Sequence, residues 1–235
     1  MKRNVLVVQH TPEETPGVIT QLLEESGYGI RTINTVAENW APSDSGDAAA
    51  LIVMGGPMGV CDTDRCPFLR NELRLLENAM KTEIPVLGVC LGSELLAKAL
   101  GAKVSRGKQK EIGWFPITLT EDARHDILWR GVESPFLSFH WHGDVFELPY
   151  GAVSLARSER TECQAFRYGS KAYGFLFHAE VTPQIAEGMI RAFAEEMRQE
   201  GIADEVILLE TEQHLPRLMK MARNVFSRWV DLIGS

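Results

Sequence analysis

Five consecutive residues carry the strongest chemical signal in the chain: Gly88-Val89-Cys90-Leu91-Gly92 sets a thiol between small residues at the end of an apolar run. A nucleophile lifted from a strand onto the first turn of a helix needs a tight, strained backbone, so the positions two before and two after it must be small. The helix N-terminus that follows favours thiolate over thiol, the form that attacks. A lone cysteine at a strand end is most often a small buried hydrophobe, so the reading depends on partners. Phe177-His178-Ala179-Glu180 supplies them. Residues i and i+2 of an extended segment share a face, so Glu180 can orient the His178 imidazole while that ring accepts the proton of Cys90. The glycine turn Gly55-Gly56-Pro57-Met58-Gly59 offers the Gly56 amide, which with the amide of Leu91 would face a developing oxyanion. The chemistry these types point to is acyl transfer through a cysteine.

The elements that must position these groups alternate at first. Residues 4–9 form a continuous β-branched run, 18–23 carry helical spacing after Pro16-Gly17, 30–33 alternate as a strand, and 48–54 form a buried-type apolar run that stops at the glycine turn. A helix is predicted over 67–80, a strand over 84–89 and a helix over 93–100. Such alternation implies an α/β fold with a mostly parallel sheet flanked by helices, whose sites lie beyond the carboxyl ends of the strands. After Gly101 the pattern changes to successive strands at 112–120, 135–141, 152–157, 164–168 and 172–177, read as a small antiparallel extension. A helix is predicted over 183–199, and the tail places Leu215, Leu218, Met219, Ala222, Val225, Phe226, Trp229, Val230 and Ile233 on one apolar stripe. Packing of that stripe onto the body is the expectation, a subunit interface the alternative. With no linker and no internal repeat, residues 1–235 read as a single domain with a helical extension over about 200–235.

Composition narrows the class. The chain has 235 residues, 45% hydrophobic and 24% charged, with a formal net charge of −8, so a packed core is expected and nucleic acid and anionic membranes are disfavoured as partners. The basic run Arg106-Gly107-Lys108-Gln109-Lys110 reads as a solvated loop. The apolar run at the start is too short for a signal peptide or a span, which points to a cytoplasmic protein. Four cysteines imply no disulfide framework, and Cys61 and Cys66 lack a second ligand pair for zinc. His140-Trp141-His142-Gly143-Asp144 has a His-x-His-x-Asp form, but no further histidine cluster completes it, so neither a metal nor another cofactor is expected. His10 reads as a rim or capping residue, and His125 and His214 as surface residues.

Taken in order, the segments GGPMG, GVCLGSELLAKALGA, FHWHGDVFELP, CQAFRYG and YGFLFHAEVTP resemble those of class I glutamine amidotransferases. Within that family they are most similar to stand-alone proteins like the amidotransferase domain of GMP synthetase. The resemblance implies a flavodoxin-like mixed sheet between helices. It also implies that Cys90 attacks the glutamine side-chain amide to form a γ-glutamyl thioester, with His178 as base and then acid and Glu180 as its orienter. Glutamate and ammonia are the products. Met58, Glu94, Trp141, His142 and Gly143 fall where the family contacts substrate. In family members that act as synthetases a second domain or subunit uses the ammonia, so an ammonia-accepting synthetase is the partner to look for. No Gly-x-x-x-x-Gly-Lys phosphate loop occurs here.

Three positions depart from the family pattern: Glu94 replaces a usual Gln, Ala179 a usual Pro and Leu176 a frequent Gln. A carboxylate at position 94 would exchange two donor hydrogens for a negative charge, favour a substrate ammonium and raise the pKa values of Cys90 and His178. Glutamine hydrolysis is therefore the leading expectation. Hydrolysis of another γ-glutamyl amide or peptide is the alternative, and a catalytically weak binding or regulatory homologue the third.

Overall fold

The computed structural model describes residues 3–234. The aliphatic runs become short strands: β1 (Asn4–Gln9), β2 (Gly29–Asn34), β3 (Ala50–Val53) and β4 (Val86–Val89). Between them lie α1 (Val18–Glu25), the four-residue α2 (Thr35–Glu38) and α3 (Phe68–Lys81), and β4 leads directly into α4 (Leu91–Ala99). The strands β5 (Val104–Leu119), β6 (Phe136–Phe146), β7 (Ala152–Arg157), β8 (Ala165–Tyr168) and β9 (Ala172–Phe175) follow, and α5 (Pro183–Ala192), α6 (Ala194–Gln199) and α7 (Asp204–Asp231) close the chain.

The nine strands of the described residues join one sheet in the order β2-β1-β3-β4-β9-β8-β7-β5-β6. The first five are parallel, and the remaining four are added antiparallel. Successive side chains of a strand point to opposite faces, and both faces here are apolar. Val5, Val7, Ile52 and Val89 pack on one core layer, whereas Leu6, Val8, Leu51 and Val53 pack on the other. Helices must cover both faces, which is why the parallel half reads as near-continuous hydrophobic runs.

The antiparallel arm is what brings a second wall over the thiol turn. The 16-residue β5 pairs through Thr118 and Leu119 with β7, and along most of its remaining length with β6. Although β6 is last in the order, it curls back until Phe139 bridges His178, whose backbone N–H donates to the Phe139 carbonyl at 2.8 Å. The strand carrying Trp141 and His142 thus lies beside the end of β9.

Several expectations need correction. The segment Arg106 to Lys110 is part of β5, where pairing passes from Arg106 opposite Asp144 to Glu111 opposite His142 through a register shift. Arg106, Lys108 and Gln109 are exposed as expected, but the segment is held by strand pairing on either side and by Lys110 Nζ, which donates to Glu196 at 2.8 Å and lies 3.0 Å from Glu200. The antiparallel part, at four strands of nine, is not small. The helix expected over 183–199 breaks at Phe193 into α5 and α6, and the helix after the cysteine starts at Leu91, two residues before the expected Ser93. The stripe on α7 is covered by α1, α5, β5 and β6, and Leu215, Leu218, Val225, Phe226 and Trp229 are buried within the chain. No helix among the described residues is long and apolar enough to cross a membrane.

Candidate active site

The thiol turn has the strain that its sequence implies. Cys90 sits at φ 50, ψ −115, a conformation that side-chain-bearing residues rarely adopt. The flanking glycines are required by contact: a Cβ on Gly88 would lie 2.4 Å from the Gly92 carbonyl oxygen, and one on Gly92 would lie 1.9 Å from the Val53 carbonyl oxygen. Neighbouring backbone therefore locks the turn, and Cys90 faces the carboxyl ends of β3 and β4.

The strand expected over 172–177 ends at Phe175, and His178 and Glu180 meet in the bent segment after it rather than on an extended strand: Nδ1 of His178 lies 2.7 Å from Oε1 of Glu180, and both side chains are almost fully buried. The carboxylate fixes the tautomer with hydrogen on Nδ1. Nε2 is left buried with no hydrogen-bond partner among the described residues. Burial works against the imidazolium, but the Glu180 charge and the contact with Cys90 outweigh it, so the His178 pKa stands well above its ordinary value. The Cys90 sulfur contacts the Trp141 carbonyl oxygen at 3.5 Å.

Glu14 is the residue that sequence reasoning missed. One of its carboxylate oxygens, the Cys90 sulfur and a ring nitrogen of His178 lie within 4.8 Å of one another. The loop after β1 carries it over the carboxyl end of the sheet, and its backbone N–H donates to Thr11 Oγ1 at 3.3 Å. The rule that sites lie past the ends of parallel strands could have pointed to it. Burial pushes its pKa up to about 7, against the pull of His178 and His10.

A cavity of about 600 Å³ opens over the thiol, lined by Gly56, Met58, Cys90, Leu91, Glu94, Trp141, His142 and Gly143. All the residues expected at the oxyanion and substrate positions thus border one space, with His178 and Glu180 behind the sulfur. The His142 side chain, however, is only 1% exposed and is turned toward His140, Glu111 and Gln164. The Trp141 indole N–H donates to Glu196 on α6 at 2.9 Å. Arg106, Lys110 and Asp144 also reach the cavity.

Electrostatics revises two expectations. Burial pushes the Cys90 thiol up to about 11; His178 lowers it and the carboxylates of Glu14 and Glu94 raise it further. Desolvation thus opposes the thiolate that the helix N-terminus favours, and the neighbouring His178 is the group that draws the proton from it. Glu94 is likewise pushed up to about 8, by burial first and then by the Asp144 charge, and holds its proton at neutral pH. A protonated carboxyl donates one hydrogen and accepts others, much as a carboxamide does, so position 94 differs less from Gln than its residue type suggests.

The other histidines fall elsewhere. His10 is a buried brace rather than a rim or cap residue, with Nδ1 2.9 Å from the Gly55 carbonyl oxygen and Nε2 3.0 Å from Glu72, and it supports the glycine turn from behind. His125 is exposed, whereas His214 is half-buried against the Trp114 ring at 5.7 Å.

Known proteins share both this sequence and this architecture. The family model described as glutamine amidotransferase class-I matches residues 16–197. The glutamine amidotransferase-like protein YfeJ of Salmonella typhimurium is 36% identical over 193 residues, 81% of each chain. A glutamine-hydrolysing GMP synthase subunit of Pyrococcus abyssi is 34% identical over 149 residues, 62% of this chain and 74% of that protein. A crystal structure of a glutamine amidotransferase from Thermotoga maritima superposes with a TM-score of 0.88 at 32% identity, covering 98% of this chain and 99% of that one. With the family model matched over most of its length and a relative of this identity aligned across most of both proteins, the chain belongs to the class-I glutamine amidotransferase family.

Proposed function

We propose that the protein hydrolyses the side-chain amide of glutamine through a γ-glutamyl thioester on Cys90, as one amidotransferase-like domain carrying its helical tail. The observation that carries this reading is the buried His178, held by Glu180 at 2.7 Å with Nε2 unpartnered beside the thiol. On this reading His178 Nε2 takes the Cys90 proton, the sulfur attacks the amide carbon, and the C–N bond breaks as the imidazolium returns the proton to departing ammonia. Water, deprotonated by the same nitrogen, then cleaves the thioester and frees glutamate. The amides of Gly56 and Leu91 would stabilise the oxyanion, a contribution of about 10²–10³ in rate per donor.

The experiment is glutamate release from L-glutamine beside a small panel of γ-glutamyl amides and peptides, wild type against Cys90→Ala. Cysteine-dependent turnover of glutamine supports the reading, and absence of turnover from every compound sinks it. One observation bears on a second substrate class, another γ-glutamyl amide or peptide: a carboxyl, Glu94, borders the cavity beside Asp144 where the family pattern has Gln. Preferential turnover of such a compound would select that reading. The relative named as part of a glutamine-hydrolysing GMP synthase supports a search for a synthetase that accepts the ammonia, by copurification from cells.

A further inference from the structure

We propose that Glu111, His140 and His142 form a divalent-metal site of the zinc type in the β5–β6 hairpin, beside the thiol cavity and separate from Cys90. Strand register assembles it. Glu111 pairs directly with His142, and His140, two residues earlier on β6, lies on the same face opposite Gly113. One ligand atom from each residue falls within 4.8 Å of the others. Sequence reasoning sets the His-x-His pattern aside for want of further ligands; the missing carboxylate comes from the neighbouring strand.

The distances fit a cation better than hydrogen bonds. His140 Nδ1 to His142 Nε2 is 3.4 Å, and His142 Nε2 to Glu111 Oε2 is 3.4 Å. Hydrogen bonds between such groups draw in to about 2.9–3.0 Å. A tetrahedral ion with bonds of about 2.0–2.1 Å holds its ligands about 3.3–3.4 Å apart. His142 Nε2 has three polar neighbours, the third being Gln164 Nε2 at 3.3 Å. A ring nitrogen carries one hydrogen or one lone pair and satisfies one of them, whereas an ion between the groups would engage the His140 nitrogen and the Glu111 carboxylate together and leave the Gln164 amide to donate to Glu111.

Two further features belong to a built site. Oε1 of Glu111 and Oε1 of Gln164 are buried with no hydrogen-bond partner among the described residues. Meanwhile Thr161 Oγ1 and Gln164 Nε2 donate to Glu111 Oε2 at 2.7 and 2.8 Å, an outer shell that aims the carboxylate. Two imidazoles and a carboxylate make the ligand set of a site with three protein ligands whose fourth position goes to water. His142 also borders the cavity.

Glu14, Cys90 and His178 are a competing ligand group, so the test removes the thiol first. Chelator-stripped Cys90→Ala protein, titrated with Zn²⁺ by calorimetry, is expected to bind one ion per chain. Adding Glu111→Gln is expected to weaken that binding by more than about 100-fold, beyond what loss of an outer-shell partner costs. X-ray absorption of the Cys90→Ala protein loaded with one equivalent of Zn²⁺ needs no change in the proposed site. Two imidazoles in a nitrogen and oxygen shell support the proposal. One imidazole would place the ion on His178, and that result, or no uptake at all, overturns it.

Discussion

In the parallel half of the sheet the residues that define the thiol turn lie within five positions of one another, from Gly88 to Gly92. In the antiparallel arm, Glu111 and His140 come from two strands and Gln164 from the approach to a third. Each half ends in buried histidines, and their environments are opposite. Glu180 gives His178 a nearby negative charge that outweighs burial and raises its pKa. His140 has His142 and His178 as cationic neighbours, His142 has His178, and burial holds His142 down to about 3 and His140 well below its ordinary value. Burial alone therefore favours a neutral ring; at His178 the carboxylate at 2.7 Å and the thiol contact outweigh it, whereas at His142, with Glu111 at 3.4 Å, burial prevails.

Breaking the parallel half should have the largest effect. Cys90→Ala is expected to lower glutamine turnover by at least about 10⁴-fold, measured as glutamate release, since the residues acting with a nucleophile contribute little without it. Glu180→Gln should cost about 10³-fold or more, because it removes the charge that holds His178 in its tautomer and supports the imidazolium. A pH profile of that variant should show the His178 pKa moved down; an unmoved profile would deny Glu180 its orienting role. Gly92→Ala tests the turn itself. Its Cβ meets the Val53 backbone at 1.9 Å, and denaturant unfolding should show a loss of about 3–5 kcal/mol. The equivalent change at Gly107 should cost far less.

Titration of the two buried carboxyls sharpens the comparison further. Glu14 and Glu94 have folded pKa values raised from 4.5 to about 7 and about 8. Such groups hold a proton in the fold that the unfolded chain gives up, so their stabilisation is full below pH 4.5 and is lost as pH rises toward 8. Unfolding free energy should fall by a few kcal/mol across that window, because each tenfold difference in proton affinity between folded and unfolded chain is worth about 1.4 kcal/mol. Glu94→Gln should flatten the upper part of the slope; a slope unchanged in that variant would mean that Glu94 is ionised in the folded protein. The smallest effect is expected on activity: because Glu94 already carries its proton at neutral pH, Glu94→Gln should change glutamine turnover only a few-fold at pH 7, and more above pH 8.

Much of this is legible in the residues alone. The Gly88-to-Gly92 turn, the His178 and Glu180 pairing and the alternation of strands and helices all rest on local rules of period and sterics, which a sequence displays directly. Glu14 escapes because its relation to Cys90 comes from a loop folded over the sheet end, with no motif to mark it. The segment from Arg106 to Lys110 is exposed as its charges suggest, but it reads as a loop because its pairing to β6 depends on residues far along the chain. The ionisation of Cys90 and Glu94 is hidden for a related reason: residue type sets the ordinary pKa, but burial shifts it, and burial belongs to the packed molecule.

By itself, then, the sequence determined the strained cysteine turn, the histidine and its carboxylate, and the family to which the chain belongs, since each is written in contiguous residues. Only the tertiary structure decided that Glu14 joins the thiol, that Glu94 keeps its proton, and that Glu111 stands opposite His142. Those outcomes depend on strand register and exclusion of water, which arise from contacts between residues distant in the chain.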